Sequence, residues 1–258
     1  MTVWIVIPAR GGSETVPQKN AHPLGDFKLY EYVIRAARYW NGAHQIIVNT
    51  DILELQHYAQ RHGLTVIRRR PELAGPKVPI WDVLKDMLTI PGTPADTVVL
   101  LQPTSPFVTP MQIQESCKLL WDPQLNASSV QTVIKCPHNH HAYNQRLIPE
   151  GHVKWAFPAK RKKAYRKQLK PPHYLFGNLL ALWVPSALEQ DTLWPEPSLA
   201  YHIPFEYGLD IDEYRDFATG EMYLRDEAVI LPHMMEDAFD AEREDHVPLL
   251  PHDFQDTY

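Results

Sequence analysis

The sequence predicts an α/β fold, a Rossmann-like doubly wound sheet of mostly parallel strands, and three observations carry that expectation. Short apolar runs rich in β-branched residues recur along the chain, segments with helical apolar spacing lie between them, and the two patterns alternate. Continuous apolar runs suit strands covered on both faces, and strand-helix-strand order implies right-handed crossovers between parallel strands.

Taken in order, residues 3–7 (VWIVI) are closed by Pro8 and read as a buried parallel strand, and residues 29–40 follow with helical spacing. Strands are then expected at 45–49, 65–68, 97–101 and 128–134, with helices at 53–62, 80–88 and 111–120. Beyond about residue 135 the rhythm breaks. Polar, His-rich and Lys-rich sequence runs to Pro172 before strand-like sequence resumes at 177–184, so residues of about 136–175 read as an insertion serving as a lid, a subdomain or an oligomer contact. Residues 211–224 read as a terminal helix. Residues 227–258 combine acidic clusters with Pro232, Pro248 and Pro251 and read as a peripheral tail.

Composition sets limits on function. With 258 residues and 44% hydrophobic content the chain can bury the core of one large domain. A net charge of -6 argues against a surface that neutralises nucleic-acid phosphates. Only Cys117 and Cys136 occur, with no CxxC pair, so neither a disulfide framework nor a thiolate zinc site is indicated. The first apolar run is far shorter than the roughly 18 residues of a spanning helix, and no signal-peptide pattern precedes it. A cytoplasmic protein with neither nucleic acid nor membrane as a partner is expected.

In open α/β sheets ligands sit beyond the carboxyl ends of the strands, and three such ends stand out. The first is Pro8, Ala9, Arg10, Gly11, Gly12 and Ser13, followed by Lys19 and Asn20. Two glycines and a serine after a strand can turn their N–H groups inward as an anion nest, and Arg10 and Lys19 supply charge for a polyphosphate. An ordinary turn is the blander reading, because glycine pairs mark turns. The second end is Gln102, Pro103, Thr104, Ser105 and Pro106, a stiff loop with hydrogen-bonding groups that also fits a plain turn. The third holds Asp210 and Asp212, which share one side if extended and suit magnesium shared with substrate phosphates; the alternative is Asp212 as a helix N-cap. His138, His140 and His141 read as a solvated loop rather than a metal cluster. Lys160, Arg161, Lys162 and Lys163 read as a basic flap over an anionic substrate.

In order and spacing these segments resemble the acylneuraminate cytidylyltransferases, the CMP-N-acetylneuraminic acid synthetase family. Asn49, Thr50 and Asp51, the segment from Arg70 to Ala74, Arg166 with Gln168, and Gly177 with Asn178 extend the resemblance over about residues 3–226. It implies a sheet of the nucleotide-diphospho-sugar transferase type. Residues 1–226 would then be the nucleotidyltransferase domain, and the insertion would take part in a homodimer. The implied reaction transfers CMP from CTP to an acidic sugar and releases pyrophosphate. Pro8, Ala9, Arg10, Gly11, Gly12, Ser13 and Lys19 would hold the nucleotide, with Asn20 and Arg70 at the cytidine. Gln102, Thr104, Ser105, Arg166, Gln168 and Asn178 would meet the acceptor. Asp210 and Asp212 would hold Mg2+, and with Arg10 and Lys19 would form the catalytic set. Departures fall on the acceptor and phosphate side: Glu14 stands where the family has lysine, His140 to Asn144 where it places a cation, and Gly177-Asn178-Leu179 where it has Asn-Gly-Ala. An acceptor such as a phosphonate, or a silent nucleotide-binding homologue, are the alternatives.

Overall fold

The computed structural model describes residues 1–89 and 95–235. Strand β1 (Val3–Ala9) is buried along its whole length and leads into a small hairpin of β2 (Pro23–Leu24) and β3 (Phe27–Lys28). Then come α1 (Leu29–Tyr39), β4 (Gln45–Thr50), α2 (Leu53–Arg61), β5 (Thr65–Arg68), α3 (Ile80–Leu88) and β6 (Thr97–Leu101). Helix α4 (Pro110–Trp121) opens on a capping box: the Thr109 hydroxyl accepts the Gln112 N–H at 3.2 Å and the Gln112 side chain accepts the Thr109 N–H at 3.0 Å. After β7 (Ser129–Lys135) the insertion forms a hairpin of β8 (Arg146–Leu147) and β9 (Lys154–Trp155) and the short α5 (Pro158–Lys163). The chain returns through β10 (Tyr174–Trp183), α6 (Val184–Glu189), β11 (Ser198–His202) and α7 (Tyr214–Arg225).

Seven strands form one sheet in the order β11-β7-β10-β6-β1-β4-β5. Every pairing is parallel except the two made by β10. Alternate side chains feed two cores. Val3, Ile5 and Ile7 of β1 pack with α1, α2 and α4 on one face, and Trp4 and Val6 pack with α3 and α6 on the other. A third cluster of Val16, Leu24, Leu29, Tyr32, Phe107 and Ile211 lies beside the carboxyl edge of the sheet, and Phe217, Val229 and Leu231 complete it.

Four details depart from the sequence reading. The strand after the insertion, β10, begins at Tyr174 rather than 177, and Gly177 sits at a register irregularity between β10 and β7 where a Cβ would lie 2.6 Å from Thr132 Oγ1. Edge strand β11 was not expected, because its half-exposed alternation and neighbouring prolines hide the apolar signal. Helix α7 starts at Tyr214 rather than 211, since Glu213 is the N-cap and the Asp216 carboxylate accepts the Asp212 and Glu213 N–H groups at 2.9 and 2.8 Å. The first part of the expected tail is not peripheral: Val229 and Leu231 are buried in the third cluster, while residues 236–258 lie outside the described residues. Among the described residues no helix is long and apolar enough to cross a membrane.

His233, on this same strap, is 3% exposed, and neither ring nitrogen has a hydrogen-bond partner. Burial, reinforced by Arg35, holds its pKa down to about 4 from 6.5. The unfolded chain therefore takes up the proton first as pH falls. Stability is kept above about 6.5 and lost progressively towards pH 4, by up to roughly 3 kcal/mol. His233→Leu is expected to flatten the fall in melting temperature between pH 7 and pH 5 by roughly 4 °C. An unchanged pH dependence in the variant would exclude His233 as its source.

Candidate active site

A cavity of about 380 Å³ opens at the carboxyl edge of the central strands, a size suited to a small-molecule ligand. Its first wall is the loop after β1, which contributes Pro8, Arg10, Gly12, Ser13, Glu14, Thr15, Lys19 and Asn20. The loop is held in several places. Lys19 opens a one-turn helix over Lys19–Ala21, with its N–H donated to the Val16 carbonyl at 3.1 Å. Ser13 Oγ accepts the Val16 N–H at 3.3 Å, and Asn20 Nδ2 donates to the Arg10 carbonyl at 2.9 Å. Asn20 is 8% exposed and its Oδ1 is a buried acceptor without a partner. Ala9 is buried within β1 and Gly11 turns its N–H outward to Asp51 Oδ1 at 2.7 Å; neither is on the cavity wall.

The second wall follows β6. Gln102, Pro103 and Thr104 line the cavity, whereas Ser105 is buried behind them in a turn closed onto the Gln102 carbonyl. The Thr104 carbonyl accepts the Ile211 N–H at 2.8 Å, which draws the third wall, Asp210 and Asp212, against the second. Asp212 is tied to the first wall as well: its Oδ1 lies 2.8 Å from Lys19 Nζ, and its carbonyl accepts the Thr15 hydroxyl at 2.5 Å. Burial raises the Asp210 carboxyl above its ordinary pKa and Asp212 adds to the rise, while a hydrogen bond from Thr104 and the charge of Lys19 oppose it.

Arginine 70 is not part of this cavity. Its guanidinium pairs with Asp86 and lies 3.7 Å from Glu72. Arg69 lines the cavity instead, 6% exposed, with Nε donating to Asn49 Oδ1 at 2.7 Å and Nη2 to the Asn49 carbonyl at 3.3 Å. Burial lowers its pKa to about 10, a fall that Asp51 opposes and Arg10 reinforces. The reason is strand geometry. The Arg69 N–H bonds the Thr50 carbonyl and so continues the pairing of β5 with β4, and in an extended run neighbouring side chains face opposite ways. Of three consecutive arginines only the middle one turns inward, a signal the sequence held in the period of the strand. Leu73, Val78 and Ile80 add an apolar stretch near this end of the cavity wall.

The remaining expected acceptor residues do not line it either. Arg166 and Gln168 are exposed on the insertion. Asn178 is 1% exposed and spends its side chain inside the fold, donating from Nδ2 to Gln112 Oε1 at 2.9 Å and to the Tyr207 carbonyl at 3.1 Å. The irregularity at Gly177 places it there.

Two carboxylates on one wall, beside Lys19 and Arg10 on the other, fit an ion such as Mg2+ that takes one or two protein carboxylates and fills its remaining positions with phosphate and water. Among the described residues no group of three acidic, His or Cys side chains offers a closed protein cage. Asp210, whose carboxyl is raised by desolvation and by the charge of neighbouring Asp212, is the donor with most to gain from a metal.

A sequence model of the family described as cytidylyltransferase matches residues 4–171. The chain is 30% identical over 230 residues to an N-acylneuraminate cytidylyltransferase of Escherichia coli, covering 82% of this chain and 49% of that one. It is 29% identical to the Streptococcus agalactiae protein of the same name, at 82% and 51% coverage, so it spans about half the length of these relatives. A CMP-N,N'-diacetyllegionaminic acid synthase of Legionella pneumophila is 26% identical and covered over its full length. Among solved structures, a CMP:2-keto-3-deoxy-manno-octonic acid synthetase complexed with CTP aligns over 88% of this chain and 100% of its own, with a TM-score of 0.66 and 15% identity, a likeness of fold.

Proposed function

The chain belongs to the cytidylyltransferase family, and on that premise we propose that it transfers CMP from CTP to an acidic sugar and releases pyrophosphate. The observation that carries the reading is the meeting of three loops at one cavity, with cationic Arg10, Lys19 and Arg69 and the Asp210 and Asp212 carboxylates on its walls. Such a distribution suits a polyphosphate bound together with a divalent cation. Relatives named for CMP-activated acidic sugars support the acceptor class.

In this reading Arg10, Ser13 and Lys19 hold the triphosphate. Glu14 shares their wall, and a carboxylate about 4 Å from a phosphate would cost on the order of 4 kcal/mol at an effective dielectric of 20, so the phosphates run along the cationic side of the loop. Arg69 and Asn20, both on the cavity wall, serve the cytidine. Gln102 and Thr104 face the acceptor across the cavity. Asp210 and Asp212 would hold Mg2+, which when bound neutralises charge building on the α-phosphate and the leaving pyrophosphate. No covalent enzyme intermediate is required.

The basic insertion also carries exposed Leu147, Ile148, Val153 and Trp155. We assign this apolar surface to a homodimer contact. Unpaired Cys117 and Cys136 suit a cytoplasmic setting, where CTP is made.

Pyrophosphate release from CTP with magnesium across a panel of nonulosonic and related acids tests the activity. Wild-type protein is expected to turn over at least one, and Asp210→Asn and Asp212→Asn to lose most of the rate, roughly a hundredfold or more, while keeping the fold. CTP binding without release from any acceptor would reduce the protein to a nucleotide-binding one. Arg69→Ala is expected to weaken CTP binding by calorimetry about tenfold or more, and Arg70→Ala to leave it within twofold. The reverse ranking would restore Arg70 to the site. Light scattering should return twice the mass of the chain, shifting towards one chain mass in Trp155→Glu; a monomeric wild type ends the dimer assignment.

A further inference from the structure

The loop that faces the phosphates in this reading is held from behind by a group outside the cavity. Gly11 donates its N–H to Asp51 Oδ1 at 2.7 Å, and Asp51 is absent from the cavity wall. Asp51 is itself fixed by the turn that ends β4: Thr50 Oγ1 accepts the Ile52 N–H at 3.0 Å, and the Thr50 carbonyl accepts Gln56 Nε2 at 3.1 Å from α2. The loop runs close to this turn. A Cβ at position 11 would stand 3.3 Å from Ile52 Cγ1 and 3.6 Å from Asp51 Oδ1, so glycine allows the backbone to reach the carboxylate. The two residues flanking Gly11, Arg10 and Gly12, both line the cavity. Rotating the peptide planes on either side of Gly11 would therefore redirect the Arg10 side chain and the next loop amides together.

We infer that Asp51 is a positioning residue for the nucleotide loop, acting through its hydrogen bond to the Gly11 N–H. This inference rests on the proposed CTP-dependent activity. At 2.7 Å the contact has the length of a good N–H···O hydrogen bond, one that a neutral amide oxygen at the same place can also accept. It occupies an amide that would otherwise compete with Gly12 and Ser13 for the phosphates in a different loop conformation. The cost of a loop left to reorder on binding appears in affinity rather than in the chemical step.

Asp51→Ala removes the acceptor; Asp51→Asn keeps an oxygen at the same place and removes the charge. The expected result is a roughly tenfold rise in CTP Kd and KM for Asp51→Ala with kcat within about twofold, and recovery of most of that loss in Asp51→Asn. Hydrogen exchange of the 10–13 segment in nucleotide-free protein should accelerate in Asp51→Ala and stay slow in Asp51→Asn. Unchanged CTP affinity and exchange in Asp51→Ala would overturn the assignment, as would an Asp51→Asn variant as impaired as alanine, which would point to charge. The exchange measurement needs no nucleotide. A loop that loosens in Asp51→Ala while the wild-type chain binds no CTP would condemn the proposed activity and uphold the latch.

Discussion

Much of the site depends on the placement of one buried isoleucine. Ile211 is fully buried in the third apolar cluster, and its N–H is committed to the Thr104 carbonyl. An apolar side chain anchored inward on an extended segment leaves its two neighbours to point the other way, and those neighbours are Asp210 and Asp212. The carboxylates reach the cavity because the residue between them cannot leave the core. The strap bearing Val229 and Leu231 closes the same cluster from outside, so the end of the described chain helps to support the acidic wall.

Electrostatics then organises what packing has assembled. The Lys19–Asp212 pair is 2.8 Å long but Asp212 is 70% exposed, and an ion pair so open to water contributes little to stability. Its consequence is placement: it holds a cation and an anion side by side at the mouth of the cavity. Arg69 is the opposite case, a buried cation whose guanidinium is satisfied by Asn49 and steadied by the charge of Asp51. Lys19 is thus paired with an exposed carboxylate and Arg69 with a buried amide, and both cations line the one cavity.

The sheet was legible in the sequence because parallel strands buried on both faces leave unbroken apolar runs, and β1 and β6 have them. β11 was not, since an edge strand with alternating exposure looks like a loop. At the site, the three strand-end segments could be read because glycine, proline and paired carboxylates are unusual after a strand. What could not be read was direction. Arg69 and Arg70 differ only in which way they face, and that is decided by the register of β5 on β4. Asn178 looked like a binding group because it is polar, yet a single irregularity in β10 turns it into the core, where it satisfies Gln112 and a backbone carbonyl. Arg166 and Gln168 sit on the insertion, whose place relative to the cavity is a matter of tertiary packing that local sequence does not encode.

The antiparallel course of β10 has a further consequence. Because β7 and β10 are adjacent antiparallel strands, everything between them is topologically a hairpin loop, however long. Doubling the length of a flexible loop adds only about 0.6 kcal/mol to the entropy of closing it. The sheet would therefore tolerate growth, shrinkage or exchange of this segment with little thermodynamic penalty. A parallel neighbour at the same position would have required a crossover of about a dozen residues or more. The reversal of one strand turns that edge into a socket, a place where lineages can try new appendages without renegotiating the core.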